Sequence, residues 1–398
     1  MKSGPCPNGK RCAERSLRGI GISSRVHSAR VLRRWSHRPL MPYSPTLPPG
    51  QPGKVFLSSL TLLLATFAPP RLEATRLVSY YFRGETRLGA WTKEGVIDLN
   101  RACREMLKEK GLPRAEARAN ALVPPQVLEF LQGQAESMAA AQEAIAWAEN
   151  RRKILKGTAT SQVNVLAGLG VWFDLQEVTL KAAVPYPPHL LAVALNYRSH
   201  SDEIKIDLPK FPNIFTKEGR VIGPGEPIEI PEGASQTDYE GELGVVIGTK
   251  ARNVPRGSAY DYVAGYVTFN DVTARDLQFR VSQYTLGKSP DTFSAMGAFL
   301  VLKDEVPNPH NLRLTTRVGS DVVQDSNTSF MIFTIPDLIA EISRVMTLEP
   351  GTVIATGTPS GVGFARQPQR FLKAGEVVSV EVEGLGILEN PVSKASGN

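Results

Sequence analysis

The stretch Asp238-Tyr239-Glu240-Gly241-Glu242-Leu243-Gly244-Val245-Val246-Ile247 opens on acids and runs into an apolar, β-branched strand. A second run over 262–270 has the same character and ends in the polar cluster Asn270-Asp271-Val272-Thr273-Ala274-Arg275-Asp276. Around these two, Gly and Pro turns set off short strands at 190–196, 298–303, 312–318, 352–356 and 377–383. One helix interrupts them over 336–346, opened by Thr334 with Asp337 three residues on. The regularly alternating helices of a doubly wound parallel sheet are missing. The chain therefore reads as α+β, mainly β, with an antiparallel or mixed β barrel or roll over residues 184–398.

Working toward the N-terminus, the cluster Pro185, Pro187 and Pro188 marks a boundary. Residues 75–183 form a small α/β unit: strands at 76–82, 86–91 and 96–98 around a Gly84-Glu85 turn, then helices near 100–110, 125–132 and 134–155. Gly157 suits a left-handed cap for the last of them. Before residue 75 the texture changes again. Residues 1–74 are expected to be a poorly ordered basic leader with a Pro-rich linker, Pro39 to Pro52, and an apolar stretch over 55–68 too short to span a bilayer.

The charge follows the same division. The chain of 398 residues has 46 Lys and Arg against 39 Asp and Glu, a formal net charge of +7. Twelve of the basic residues and only one acid, Glu14, fall in the first 72 positions, leaving 34 basic and 38 acidic residues, net −4, for the body. The basic balance is thus no argument for a nucleic-acid partner, and no membrane partner is expected. Three readings of the leader stand open: an organellar presequence, an incidental tail, and sequence upstream of the true start. The expected location is cytoplasmic, or the mitochondrial matrix where the leader is a presequence.

Several chemistries drop out. Cys6 and Cys12 lie in the leader and Cys103 stands alone in the body, so neither a Cys-rich zinc site nor a disulfide framework can form. Gly287-Lys288-Ser289 resembles the end of a phosphate loop, but Ser282 occupies the position of the required glycine. In Gly357-Thr358-Pro359-Ser360-Gly361 the serine falls one place late for a hydrolase nucleophile elbow.

What remains is acid chemistry. Side chains two apart on a strand share a face, so Glu240 and Glu242 point the same way, a costly arrangement unless a cation neutralises them. Alone, a Glu-x-Glu is more often a solvated edge. With Asp271 at the exit of the second strand, the three supply hard oxygen ligands that suit Mg2+ or Mn2+ better than zinc. In Asn196-Tyr197-Arg198-Ser199-His200-Ser201-Asp202-Glu203, His200 and Glu203 are three apart, so one helical turn lets the carboxylate orient the imidazole as a general base. His27, His37, His189 and His310 have no such partner and read as ordinary residues.

These motifs, together with Phe215-Thr216-Lys217, Gly223-Pro224-Gly225, Leu277-Gln278, Asp291-Thr292, Gln324-Asp325 and Thr356-Gly357-Thr358-Pro359-Ser360-Gly361-Val362-Gly363, agree in order and spacing over about half the chain. In them the chain resembles the fumarylacetoacetate hydrolase superfamily, in its two-domain form with a small N-terminal domain. The resemblance implies a β-roll, a homodimer, and Mg2+, with Mn2+ or Ca2+ as alternatives, at the positions matching Glu240, Glu242 and Asp271. It implies that His200 and Glu203 activate water on a lid-forming segment, that Lys288 is the lysine near the metal, and that Arg275, Gln278 and Thr358 contact substrate. Ala194 and Ala298 depart from the commoner Gly and Pro, which puts local loop geometry in question.

The leading expectation is hydrolysis of a carbon–carbon bond in an acylpyruvate or fumarylpyruvate type of diketo acid, as in aromatic catabolism. Water activated by His200 and Glu203 adds to the distal carbonyl while Lys288 and Gln278 hold the oxyanion. The alternative uses the same enolate without water attack, as a 2-hydroxy-dienoate isomerase or an oxaloacetate-type decarboxylase. A third reading, a scaffold whose leader binds nucleic acid or membrane, requires a lost ligand or a broken His/Glu pair, and none is lost.

Overall fold

The computed structural model describes residues 76–156 and 163–395; the leader expected over 1–74 and the cap expected at Gly157 lie outside them. Among the described residues thirteen strands form one mixed sheet. Its centre is the antiparallel pair foreseen from the sequence, Gly241–Ile247 against Val263–Asp271, with Glu242 opposite Phe269 and Gly241 opposite Asn270. Gly241–Ile247 is buried along its whole length, so each Val or Ile contributes roughly 1.5–3 kcal/mol through removal from water. A side chain at Gly244 would place its Cβ 2.5 Å from Val267 Cγ2, so the two strands pack this closely only with glycine there.

On one side the sheet continues through Val353–Ala355 to Leu190–Ala194, which run parallel to each other, and then to Asn213–Thr216. On the other side Phe299–Leu302 joins the centre to the N-terminal strands Arg76–Phe82, Glu85–Thr92 and Gly95–Asp98. Two short strands, Thr237–Asp238 and Thr273–Ala274, pair just beyond the central strands. They bring Glu240 and Asp271 side by side, and Asp271 N donates to Glu240 O at 2.9 Å.

A second, five-stranded sheet contains Asp321–Asn327, Arg313–Val318, Val377–Val382, Gly386–Lys394 and Ile228–Ile230. Between the sheets lies an apolar layer that includes Tyr239, Val272, Phe293 and Leu388. The helix Ile335–Val345 covers the central sheet with Ile335, Leu338, Ile339 and Ile342 and carries the expected Thr334–Asp337 capping box. In the N-terminal part, helices at Leu99–Glu109, Val127–Gln132 and Gln134–Lys156 follow the sequence reading. A further helix, Ala115–Leu122, was not foreseen, because it buries only Ala115 and Ala119 and shows no apolar stripe. No described helix is long and apolar enough to cross a membrane.

Candidate active site

Glu240, Glu242 and Asp271 are all buried, and each can offer one oxygen to a set lying within 4.8 Å of one another. Three cations hold this acid cluster. Lys288, at the end of the short helix Thr285–Lys288, places Nζ 2.8 Å from both Glu240 Oε2 and Asp271 Oδ2. Lys217 Nζ donates to Asp271 Oδ1 at 2.5 Å and also to the carbonyls of Lys288 and Val272. Arg275 Nη2 lies 2.7 Å from Glu240 Oε1 as an ion pair, without hydrogen-bond alignment.

The three acids differ in electrostatic footing. Burial pushes the Glu240 carboxyl up, but Lys288 and Arg275 more than offset it and hold it at about 2. Among the described residues Glu242 has no cation in contact; burial, then the charges of Asp271 and Glu240, drive its carboxyl well above the usual range. Its one hydrogen bond is from Gly357 N at 2.7 Å. The Tyr197 hydroxyl, itself fully buried, has no hydrogen-bond partner among the described residues. What the donor set lacks is a positive charge at Glu242 itself. Three hard oxygens around a buried, uncompensated carboxylate fit a hard divalent cation.

His200 and Glu203 share the helix Arg198–Ile204, and His200 Nδ1 lies 2.7 Å from Glu203 Oε1. A carboxylate only accepts, which fixes Nδ1–H as the donor and leaves Nε2 as the ring nitrogen able to exchange a proton. Glu203 Oε2 accepts from Gly361 N at 2.8 Å, and Ser199 Oγ accepts from Ser360 N at 3.3 Å, so the helix is fastened to the 356–361 loop.

His200, Glu240, Arg275, Gln278, Lys288 and Thr358 line one cavity of about 70 Å³, together with Ile204, Phe279 and Phe364. Asp238, fully buried, accepts Arg275 Nε at 2.9 Å and the N–H groups of Gly363 and Phe364. Gln278 Oε1 accepts from Arg275 Nη1 at 3.1 Å, which leaves its amide N–H groups for a ligand. Thr358 lines the cavity, but its hydroxyl donates to Gly241 O at 3.0 Å and accepts from Gln324 Nε2 at 2.8 Å.

The structure thus brings all the sequence-derived candidates to one place. Three further residues were not singled out as site residues. Lys217 lies just past the short strand Asn213–Thr216, whose outer positions are exposed, and nothing local shows that its ammonium turns inward. Asp238 could have been found as a third acid two residues before Glu240. Gln324 acts through Gly241 N and Thr358, over 30 positions away on either side, a link no local pattern carries.

Residues 189–393 match the family described as fumarylacetoacetate (FAA) hydrolase, C-terminal. The chain is 44% identical over 219 residues to an oxaloacetate tautomerase, fahd2, mitochondrial, of Xenopus laevis, covering 54% of this chain and 69% of that protein. It is 43% identical over 225 residues to the oxaloacetate tautomerase YisK of Bacillus subtilis, covering 55% and 75% respectively. Among solved structures it is similar to a fumarylacetoacetate hydrolase from psychrophilic Exiguobacterium antarcticum, with 29% identity and a TM-score of 0.60 over 81% of this chain and 100% of that one.

Proposed function

The chain belongs to the fumarylacetoacetate hydrolase family, and from that premise we propose that it is a divalent-cation-dependent keto–enol tautomerase of compact 2-keto acids of the oxaloacetate type. The observation that carries this reading is the convergence of His200, Arg275 and Lys288 with Glu240 on one narrow cavity. Similarity to two oxaloacetate tautomerases supports it, and moves the balance away from the hydrolysis expected first from the sequence.

Tautomerisation transfers one proton between carbon 3 and the oxygen on carbon 2. His200 Nε2 takes the proton from carbon 3 while the oxygen on carbon 2 takes one up from solvent, or the reverse, and Glu203 holds the ring's orientation and balances its charge. Lys288 spends two of its three N–H donors on Glu240 and Asp271, which leaves one to stabilise the developing enolate oxygen. Arg275, steadied by Asp238, and the Gln278 amide orient the substrate carboxylate. Held by Glu240, Glu242 and Asp271, Mg2+ would draw electron density from the substrate's keto oxygen.

The Glu203-supported imidazole keeps acylpyruvate hydrolysis as the second reading. Among the described residues none of the cavity's lining comes from before 184, so we assign 75–183 a supporting rather than a substrate-binding part. A mitochondrial location accords with the leader's composition and with the stated location of the Xenopus relative.

The test follows enol-oxaloacetate by its ultraviolet absorbance with Mg2+ present, and separately follows an acylpyruvate by proton NMR. Faster enol decay with the acylpyruvate left intact is expected. Cleavage of the acylpyruvate without effect on the enol overturns the assignment.

A further inference from the structure

On the N-terminal part of the molecule, away from the cavity just described, a cleft of about 550 Å³ is lined by Arg83, Arg101 and Arg104. We propose that this cleft is a second binding site, for a compact multivalent oxyanion.

The three guanidinium groups arrive from different elements. Arg83 sits in the two-residue turn between the strands Arg76–Phe82 and Glu85–Thr92, whereas Arg101 and Arg104 lie on the helix Leu99–Glu109. Their local acids are largely committed. Asp98, the buried carboxylate at the start of that helix, accepts Tyr80 OH at 2.6 Å, Arg87 Nε at 2.6 Å and Arg101 N at 2.8 Å. Arg101's guanidinium lies 3.8 Å from it and donates instead to Gly170 O at 3.3 Å. Arg104 shares Glu105 with Lys108, at 2.8 and 2.9 Å, so two cations divide one acid. Arg83 lies over the Phe82 ring, 5.0 Å from its centroid, and has no acidic partner among the described residues. Two further acids, Glu85 and Glu177, line the cleft; Glu85 lies 3.5 Å from Arg87 and Glu177 accepts Asp174 N at 2.9 Å.

The backbone is shaped to the same end. Arg83 has φ +47° and Gly84 φ +94°, the pair of positive angles of a tight hairpin turn, whose first position favours Asn, Asp or Gly. Turn geometry therefore gives no reason for an arginine there, and its side chain is the property left to explain. Across the cleft, Gly170 has φ +66°, and a Cβ on it would lie 2.7 Å from Arg101 Nη1. A side chain there would be strained by the positive φ and would make that guanidinium shift from the carbonyl. Arginine forks match the paired oxygens of carboxylate and phosphoryl groups, and three of them call for more than one negative charge. The aromatic wall of Phe82 and Phe173, with centroids 4.5 Å apart, excludes water from one side.

The experiment is isothermal titration of the full chain at low ionic strength with two probes, inorganic phosphate for the phosphoryl class and tricarballylate for the carboxylate class. Saturable binding of at least one is expected. It should weaken roughly tenfold in Arg83→Ala, the loss of one charge-assisted contact, and further in the Arg83→Ala/Arg104→Ala double variant. It should also fall as NaCl is raised, with keto–enol turnover unchanged. Arg83 is an exposed turn residue, so its variant folds, and it is remote from His200, so a probe entering the catalytic cavity is unaffected by it. No saturable binding of either probe, or an affinity unchanged in Arg83→Ala, overturns the proposal. Neither outcome bears on the tautomerase reading.

Discussion

Glu203 lies 2.7 Å from His200 Nδ1 and spends its other oxygen on Gly361 N, so one carboxylate both orients the imidazole and latches its helix to the neighbouring loop. His200→Ala should lower turnover by about 10²–10⁴-fold, the usual contribution of a general acid–base group. Glu203→Gln keeps an acceptor for the ring and should cost less. Steady-state rates with circular dichroism as the folding control decide both, and equal losses would show that the carboxylate does more than orient.

Dialysis against a chelator should abolish turnover, and Mg2+ should restore it. Glu242→Gln should remove turnover as well, yet stabilise the metal-free protein. Its folded carboxyl sits well above its unfolded value because of burial and its acidic neighbours, so the penalty grows as pH rises from the unfolded value through the folded one. Urea midpoints of metal-free wild type and variant should therefore differ more at pH 8 than at pH 5.

Lys217 is wholly buried, and burial lowers its affinity for a proton against the pull of Asp271. Lys217→Met leaves Asp271 with Lys288 as its remaining cation. Breaking a buried pair costs roughly 3–5 kcal/mol, and the retained partner places this loss toward the lower end. Chemical denaturation measures it; a variant as stable as wild type would mean that the pair roughly cancels its own desolvation.

His310 provides a titration away from the acids. Its Nε2 accepts Ile335 N at 3.2 Å at the start of the helix Ile335–Val345, and burial holds the imidazole below its ordinary value. The unfolded chain thus binds a proton more readily than the folded one. Stability should fall as pH drops below about 6.5, the unperturbed histidine value. His310→Gln should flatten that slope in thermal melts run from pH 7.5 to 5.5.

Much of this site was legible because its acids interrupt apolar strands, where a charge has no reason to be without a partner. Glu240 and Glu242 stand out once Asp271 is seen at the exit of the second strand, and His200 with Glu203 by helical spacing. The central strands were legible for the same reason, being continuous β-branched runs. Short or polar strands were not: Asn213–Thr216 and Val221–Ile222 are too brief to show a period, Asp321–Asn327 is mostly polar, and Gly386–Lys394 contains Pro391. Asp321–Asn327 and Gly386–Lys394 close hairpins on the strand before each, whereas Val221–Ile222 is placed by Ser294 and Ala295, distant in sequence. The same holds for Thr358, whose type suggests a ligand contact while Gln324 and Gly241 occupy its hydroxyl.

The strand Phe299–Leu302 has neighbours on both sides: Gly265 and Tyr266 on one, and Arg76, Leu77 and Val78 on the other. A fragment cut back to residues 189–393, the portion matched by the family, would lose the second neighbour and present a row of open N–H and C=O groups beside Leu300. Such an edge pairs readily with another copy of itself. The N-terminal hairpin therefore also acts as a guard against aggregation, and soluble expression of the catalytic half should depend on residues that touch no substrate.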